Sequence, residues 1–220
     1  MKRLFSFFLF AALILALAAC GHGGKESESE SQKTGPLVGG WSRAETPIVS
    51  DETQVLLHKA MDKLTGADYE PVAYLGSQVV AGTNHALLCR VTPATPDAVD
   101  YYAIVILYED LNGNVEMTET HDSNRSTNIS ELAGGWFQPE SPEMTEEAQK
   151  ALEKAAESLT GASYTPLALL STQVVAGINY CILCEITPVA PNVESHLSLV
   201  YVFADLNGNA EITDTVDFVE

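Results

Sequence analysis

Few residues in this chain have the types and spacings that chemistry requires. Cys181 and Cys184 carry the Cys-x-x-Cys spacing of redox and zinc sites. In a strand, residues three apart point to opposite faces, so the two thiols are not expected to meet. Cys184 and its counterpart Cys89 read as small buried core residues, whereas Cys181 aligns with Ala86 on the outer face, a thiol open to intermolecular linkage. Asp110, Asn112, Asn114 and Glu116 alternate as Ca²⁺ ligands would, and Asp205, Asn207, Asn209 and Glu211 repeat the pattern. A calcium loop of the EF-hand type needs glycine sixth and glutamate twelfth, but here Gly113 is fourth and His121 twelfth, so a hairpin turn is favoured and no metal is expected. Of the histidines His22, His58, His85, His121 and His196, none recurs at the equivalent position of the internal repeat described below. With no Gly-x-Ser-x-Gly elbow, phosphate loop or His-Glu-x-x-His pair, the chain is expected to have no catalytic residue, to use no cofactor and not to be an enzyme.

A different signal stands out. Gln78-Val79-Val80-Ala81-Gly82 recurs as Gln173-Val174-Val175-Ala176-Gly177, each followed one residue later by asparagine, Asn84 or Asn179. Each copy separates two alternating apolar runs, which predicts a β-hairpin with the glycine freeing the backbone at the bend.

The elements that must position these tips are themselves written twice. Trp41 and Trp136, Gly66 and Gly161, Cys89 and Cys184, and Gly113 and Gly208 are all separated by 95 positions, without insertion or deletion. So long a period predicts two small domains, residues 36–122 and 131–220, joined by a polar linker at 123–130. Ser50 followed by Asp51 and Glu52, and Thr145 followed by Glu146 and Glu147, predict helix starts. Leu57, Ala60, Met61 and Leu64, and Ala148, Leu152, Ala155 and Leu159, supply the apolar stripes that end at Gly66 and Gly161. Strands are predicted over 71–80, 83–93, 101–108 and 115–120, and over 166–175, 178–188, 197–203 and 210–215. Asp110-Leu111-Asn112-Gly113-Asn114 and Asp205-Leu206-Asn207-Gly208-Asn209 supply the second turn of each unit. The expected fold class is α+β, each unit an antiparallel sheet wrapped around one helix.

The N-terminus has the order of an export signal: Lys2 and Arg3, an apolar run, then small residues. Leu17-Ala18-Ala19-Cys20 resembles the lipobox of bacterial lipoproteins, which implies a signal over 1–20, acylation of Cys20, and anchoring to a bacterial membrane or cell surface. Loss of Lys2 and Arg3 would take the formal charge from −19 to −21. Residues 21–35, rich in Ser and Glu, read as a flexible acidic linker. With 30 acidic against 11 basic residues there is no basic stripe, so no nucleic-acid partner is expected; a hydrophobic fraction of 46% suffices for packed cores.

Together these residues resemble the cystatin and stefin family of cysteine protease inhibitors. Leu37-Val38-Gly39-Gly40, and Leu132-Ala133-Gly134-Gly135 in the second copy, are similar to that family's N-terminal trunk. Gln78 to Gly82 and Gln173 to Gly177 match its Gln-x-Val-x-Gly hairpin. The resemblance implies two tandem cystatin-like domains that inhibit papain-like cysteine proteases reversibly. In each, trunk and hairpin tips would form an apolar wedge filling the protease cleft, with no bond presented for attack. By the same resemblance the protease-binding residues would be Leu37, Val38, Gly39, Gly40, Gln78, Val79, Val80, Ala81, Gly82 and Leu111, then Leu132, Ala133, Gly134, Gly135, Gln173, Val174, Val175, Ala176, Gly177 and Leu206. A monomer is expected. The second hairpin departs from the family, which presents an apolar pair there; Leu111 and Leu206 are the only apolar residues at these polar tips. The alternative is a cystatin-fold surface interaction or adhesion module without protease inhibition.

Overall fold

The computed structural model describes residues 39–123, 134–191 and 193–218, all within one compact unit. The proposed signal, Cys20, the acidic linker, and Leu37, Val38, Leu132 and Ala133 lie outside the described residues. In chain order the elements are β1 (Trp41–Arg43), α1 (Asp51–Met61), β2 (Ala67–Val80), β3 (Gly82–Pro93), β4 (Tyr101–Glu109) and β5 (Val115–Asp122). They are followed by β6 (Trp136–Phe137), α2 (Glu146–Ala156), β7 (Ala162–Val175), β8 (Gly177–Pro188), β9 (His196–Asp205) and β10 (Ala210–Asp217). The strands form two five-stranded antiparallel sheets, β1-β2-β3-β4-β5 and β10-β9-β8-β7-β6.

This arrangement corrects the α+β expectation. The described residues are mostly antiparallel β-sheet, with 53% in strands against 13% in helices, in two sheets rather than in two α+β cystatin-like domains. The reason lies in the second face of each sheet. Leu87, Cys89, Val105 and Leu107 bury against Leu57 and Ala60 of α1. On the opposite face, Ala86, Leu88, Ile104 and Ile106 pack with Ala168, Leu170, Cys181, Leu183 and Leu199 of the other sheet in one shared core. The face of the second sheet carrying Ile182, Cys184, Val200 and Val202 is covered by Ala148, Leu152 and Ala155 of α2. A strand buried on both faces reads as a continuous apolar run, and Tyr102 to Leu107 is buried throughout. The order of layers is therefore helix, sheet, sheet, helix. Stacking removes the apolar faces from water at about 25 cal/mol per Å² and makes the β-sandwich, not the helix, the organising layer.

The helices begin where their caps predict. Thr53 N donates to Ser50 Oγ at 3.2 Å, and Ala148 N to Thr145 Oγ1 at 3.2 Å. They stop earlier than the apolar stripe suggests. Each is 11 residues long, and Leu64 and Leu159, expected in the buried stripe, lie past the helix ends and are exposed. Leu64 N donates to Met61 O and Leu159 N to Ala156 O, each closing a turn in place of a further helical turn.

The two thiols of the Cys-x-x-Cys pair do point to opposite faces, Cys184 under α2 and Cys181 between the sheets. The expectation of an outward-facing Cys181 is corrected: the face it shares with the position of Ala86 is interior, so the thiol is not available for intermolecular linkage. Burial pushes the Cys89 and Cys184 thiols up to about 12.

Both long hairpins bend at matching places. Register shifts occur between Pro71 and Ala73 and between Tyr74 and Gly76, and again between Pro166 and Ala168 and between Leu169 and Ser171. A bulge tolerates the missing N–H of Pro71 and Pro166 and adds twist to the strands that carry the tips.

Candidate functional site

The site is built at the end of each sheet where β2 turns into β3, and β7 into β8. Val80 pairs with Gly82 about Ala81, and Val175 with Gly177 about Ala176, so the reversal is as short as the chain allows. That turn requires glycine twice over. Gly82 has φ +145° and Gly177 φ +144°. A Cβ at Gly82 would lie 2.4 Å from Glu109 O, and one at Gly177 would lie 2.3 Å from Ala204 O. The absent side chain lets β3 and β8 approach the ends of β4 and β9.

The glutamine is a clamp. Gln78 Nε2 donates to Gly39 O at 3.0 Å, while Gln78 Oε1 accepts from Asn84 Nδ2 at 2.8 Å. Gln173 repeats this with Gly134 O at 2.6 Å and Asn179 Nδ2 at 2.7 Å. Gly39 N also donates to Val79 O at 3.1 Å, so the segment entering β1 is tied to the hairpin by backbone and side chain together. The left-handed backbone there belongs to Gly39 and Gly134, at φ +92° and +98°, rather than to Gly40 and Gly135. Gln78, Gly82 and Asn84 thus hold the shape of the tip, and the side chains left facing solvent are those between them.

Those side chains are apolar. Val79 and Val80 are 36% and 41% exposed, and Val174 and Val175 are 59% and 44% exposed. The turn between β4 and β5 emerges at the same end, because Thr83 pairs with Glu109, and it carries Leu111 at 85% exposure; Leu206 is its equivalent at 84%. Asp110 organises that turn. Its Oδ1 accepts from Asn112 N at 2.8 Å and Asn114 N at 2.9 Å, and its Oδ2 from Asn114 Nδ2 at 2.8 Å. Asp205 does the same with Asn207 and Asn209. Hydrogen bonds from Asn114, then Asn112, pull the Asp110 carboxyl down to about 2, and those from Asn209 and Asn207 lower Asp205. These carboxylates are engaged by amides within their own turn. Among the described residues no group of three His, Cys, Asp or Glu side chains could hold a metal ion.

The structure therefore brings Gly39, Gln78 to Gly82 and Leu111 to one edge, and Gly134, Gln173 to Gly177 and Leu206 to another. Sequence reasoning missed Tyr108, whose hydroxyl donates to Ala81 O at 2.7 Å and fixes the first tip. The equivalent residue 95 positions on is Phe203, which has no hydroxyl to donate. The signal available for Tyr108 was its mismatch with Phe203, set against a matched motif. Ile178, which replaces Thr83 in the second copy of the motif, is 36% exposed beside the second tip. Behind the first tip, His85 Nδ1 lies 2.9 Å from Tyr74 Oη, and Nε2 lies 3.6 Å from Glu109 Oε2. Burial lowers the pKa of His85, and Glu109 partly opposes this. Trp41 and Trp136 act as packing anchors: both lie half-buried against the shared core, and Trp136 meets Tyr201 edge-on at 5.8 Å. His58 is exposed on α1.

What such an edge can do is limited by its chemistry. It presents backbone and apolar side chains in a fixed shape, beside the exposed amides of Asn112 and Asn207 and backed by a rigid sandwich. Compared with known proteins, the chain matches no family model and no curated protein.

Proposed function

We propose that the protein is a reversible, cleft-blocking inhibitor of papain-like cysteine proteases, anchored through acylated Cys20 to the bacterial membrane or cell surface. The reading is carried by one observation. In each sheet the segment entering the first strand, the Gln-Val-Val-Ala-Gly turn and the Asp-Leu-Asn-Gly-Asn turn meet at one end, where Val79, Val80 and Leu111, or Val174, Val175 and Leu206, are exposed. The motif resemblance of the trunk and first turn supports the choice of target class. Preorganisation supports the mode of action: a tip locked by Gln78, Asn84 and Tyr108 loses little entropy on entering a cleft. The lipid anchor rests on the sequence of residues 1–20 alone.

A second reading, a surface interaction or adhesion module, is favoured by the polar Asp110 and Asp205 turns and by the structural roles of Gln78 and Gly82. Titration of papain with residues 21–220 separates the two. Inhibition that is reversible on dilution, and that weakens when Val79 and Val80 are replaced by aspartate, supports the inhibitor. Papain and related proteases left fully active at micromolar protein would leave the adhesion module as the better reading.

A further inference from the structure

A gapless repeat can stack its two sheets with their tips at the same end or at opposite ends, and the contacts across the shared core choose between these. Arg43 pairs with Gly76 close to the first tip, yet its guanidinium meets the carboxylate of Glu185, which pairs with Leu197 toward the far end of β8 and β9. Gln78 and Asn84, at the first tip, line one cavity with Asp217 and Phe218, at the far end of β10. The reverse holds for the second tip. Ser171 Oγ donates to Ser123 O at 2.9 Å, and Gln138 Oε1 accepts from Tyr102 N at 2.7 Å, joining the tip half of the second sheet to the far half of the first. The tip half of each sheet thus lies on the far half of the other, and the two edges face opposite ways.

We propose that one chain holds two protease molecules at once, one at each end of the sandwich, with each edge acting independently; this rests on the inhibitor reading above. The spacing permits it. β2 and β7 are 14 residues each, so at a rise of about 3.3 Å per residue the two turns stand on the order of 40 Å apart. A globular protease of about 200 residues has a diameter of about 40 Å, and two such bodies capping opposite ends do not overlap. No residue is shared between the edges, so binding at one removes nothing from the other. The chemistry is duplicated as well, with Val79, Val80 and Leu111 matched by Val174, Val175 and Leu206. The second edge is the more apolar, since Ile178 and Phe203 stand where the first has Thr83 and Tyr108.

The test is a titration of the full exported chain, in detergent, with papain, read by calorimetric stoichiometry and by residual protease activity. The expected result is two papain molecules per chain. One is expected for Val79→Asp with Val80→Asp, one for Val174→Asp with Val175→Asp, and none when all four are changed. Melting temperatures near that of the parent confirm that each variant is folded; if an aspartate pair lowers melting, Val→Ser replacements at the same positions carry the test. One papain per parent chain with inhibition intact overturns the bivalent arrangement and leaves the inhibitor reading standing. No inhibition by the parent chain overturns both together.

Discussion

Replacing Gly82 with alanine separates two costs that a tip glycine avoids. One is backbone strain: a non-glycine residue held at φ +145° costs about 1–3 kcal/mol. The other is overlap, since the new Cβ would lie 2.4 Å from Glu109 O and 2.8 Å from Tyr108 Cε2. Relieving it means moving the start of β3 away from the end of β4, at a cost comparable to overpacking, about 1–3 kcal/mol. Gly66 provides the control. Its φ is +110°, but a Cβ there meets nothing within 4 Å, so Gly66→Ala carries the strain without the overlap. The two variants should therefore differ by about 1–3 kcal/mol, Gly82→Ala being the less stable. For a folded unit of this size that difference lowers Tm by roughly 2–12 °C. Thermal unfolding followed by circular dichroism reads the difference, and amide exchange at Thr83 and Glu109 reports whether the tip opens first. If Gly82→Ala melts with Gly66→Ala and exchange at those amides is unchanged, close approach is not why glycine is needed, and the description of the tip is wrong.

Other consequences follow from the same geometry. Gln78→Ala removes the bonds to Gly39 O and from Asn84, worth about 1 kcal/mol each; it should speed proteolytic nicking near Gly39 while leaving the far-UV spectrum unchanged, and the inhibitor proposal requires that it also weaken any inhibition of papain. Leu183→Ala, in the core shared by both sheets, should cost about 2–5 kcal/mol and shift one common unfolding transition, visible as coincident loss of signal from both repeats. Asp110 and Asp205 have folded pKa values below their unfolded ones, so the stability they contribute is complete above the ordinary carboxylate range and is lost as pH falls through the folded values, which for Asp110 is about 2. Replacing both with asparagine should flatten that part of the acid-unfolding curve. Cys89, Cys181 and Cys184 are all buried, so a thiol reagent should modify them only as fast as the protein unfolds.

Much of the local structure is legible in the residues. Ser50 and Thr145 mark helix starts because their hydroxyls satisfy backbone N–H groups that have no intrahelical partner. The four hairpins turn at the predicted turn residues because alternation and glycine placement act over a few positions. The candidate edge was also visible as a repeated motif, although the reason for its glutamine was not. Gln78 bridges Gly39 and Asn84, and Gly39 lies 39 positions away, beyond the reach of local pattern. The helix ends were misjudged because Leu64 and Leu159 continue an apolar spacing that the backbone does not follow.

By itself the sequence determined the repeat, the caps, the turns and the side chains that share a strand face. Alternation along a strand says which residues lie together but not what covers them. Only the tertiary structure decided that the face of Ala86, Leu88 and Ile104 is covered by the other repeat, turning an expected pair of sheets wrapped on helices into one β-sandwich with helices outside. It decided as well that the tips point apart, because that choice depends on side-chain fit and ion pairing across the stacked sheets, as between Arg43 and Glu185, and on nothing within either repeat alone.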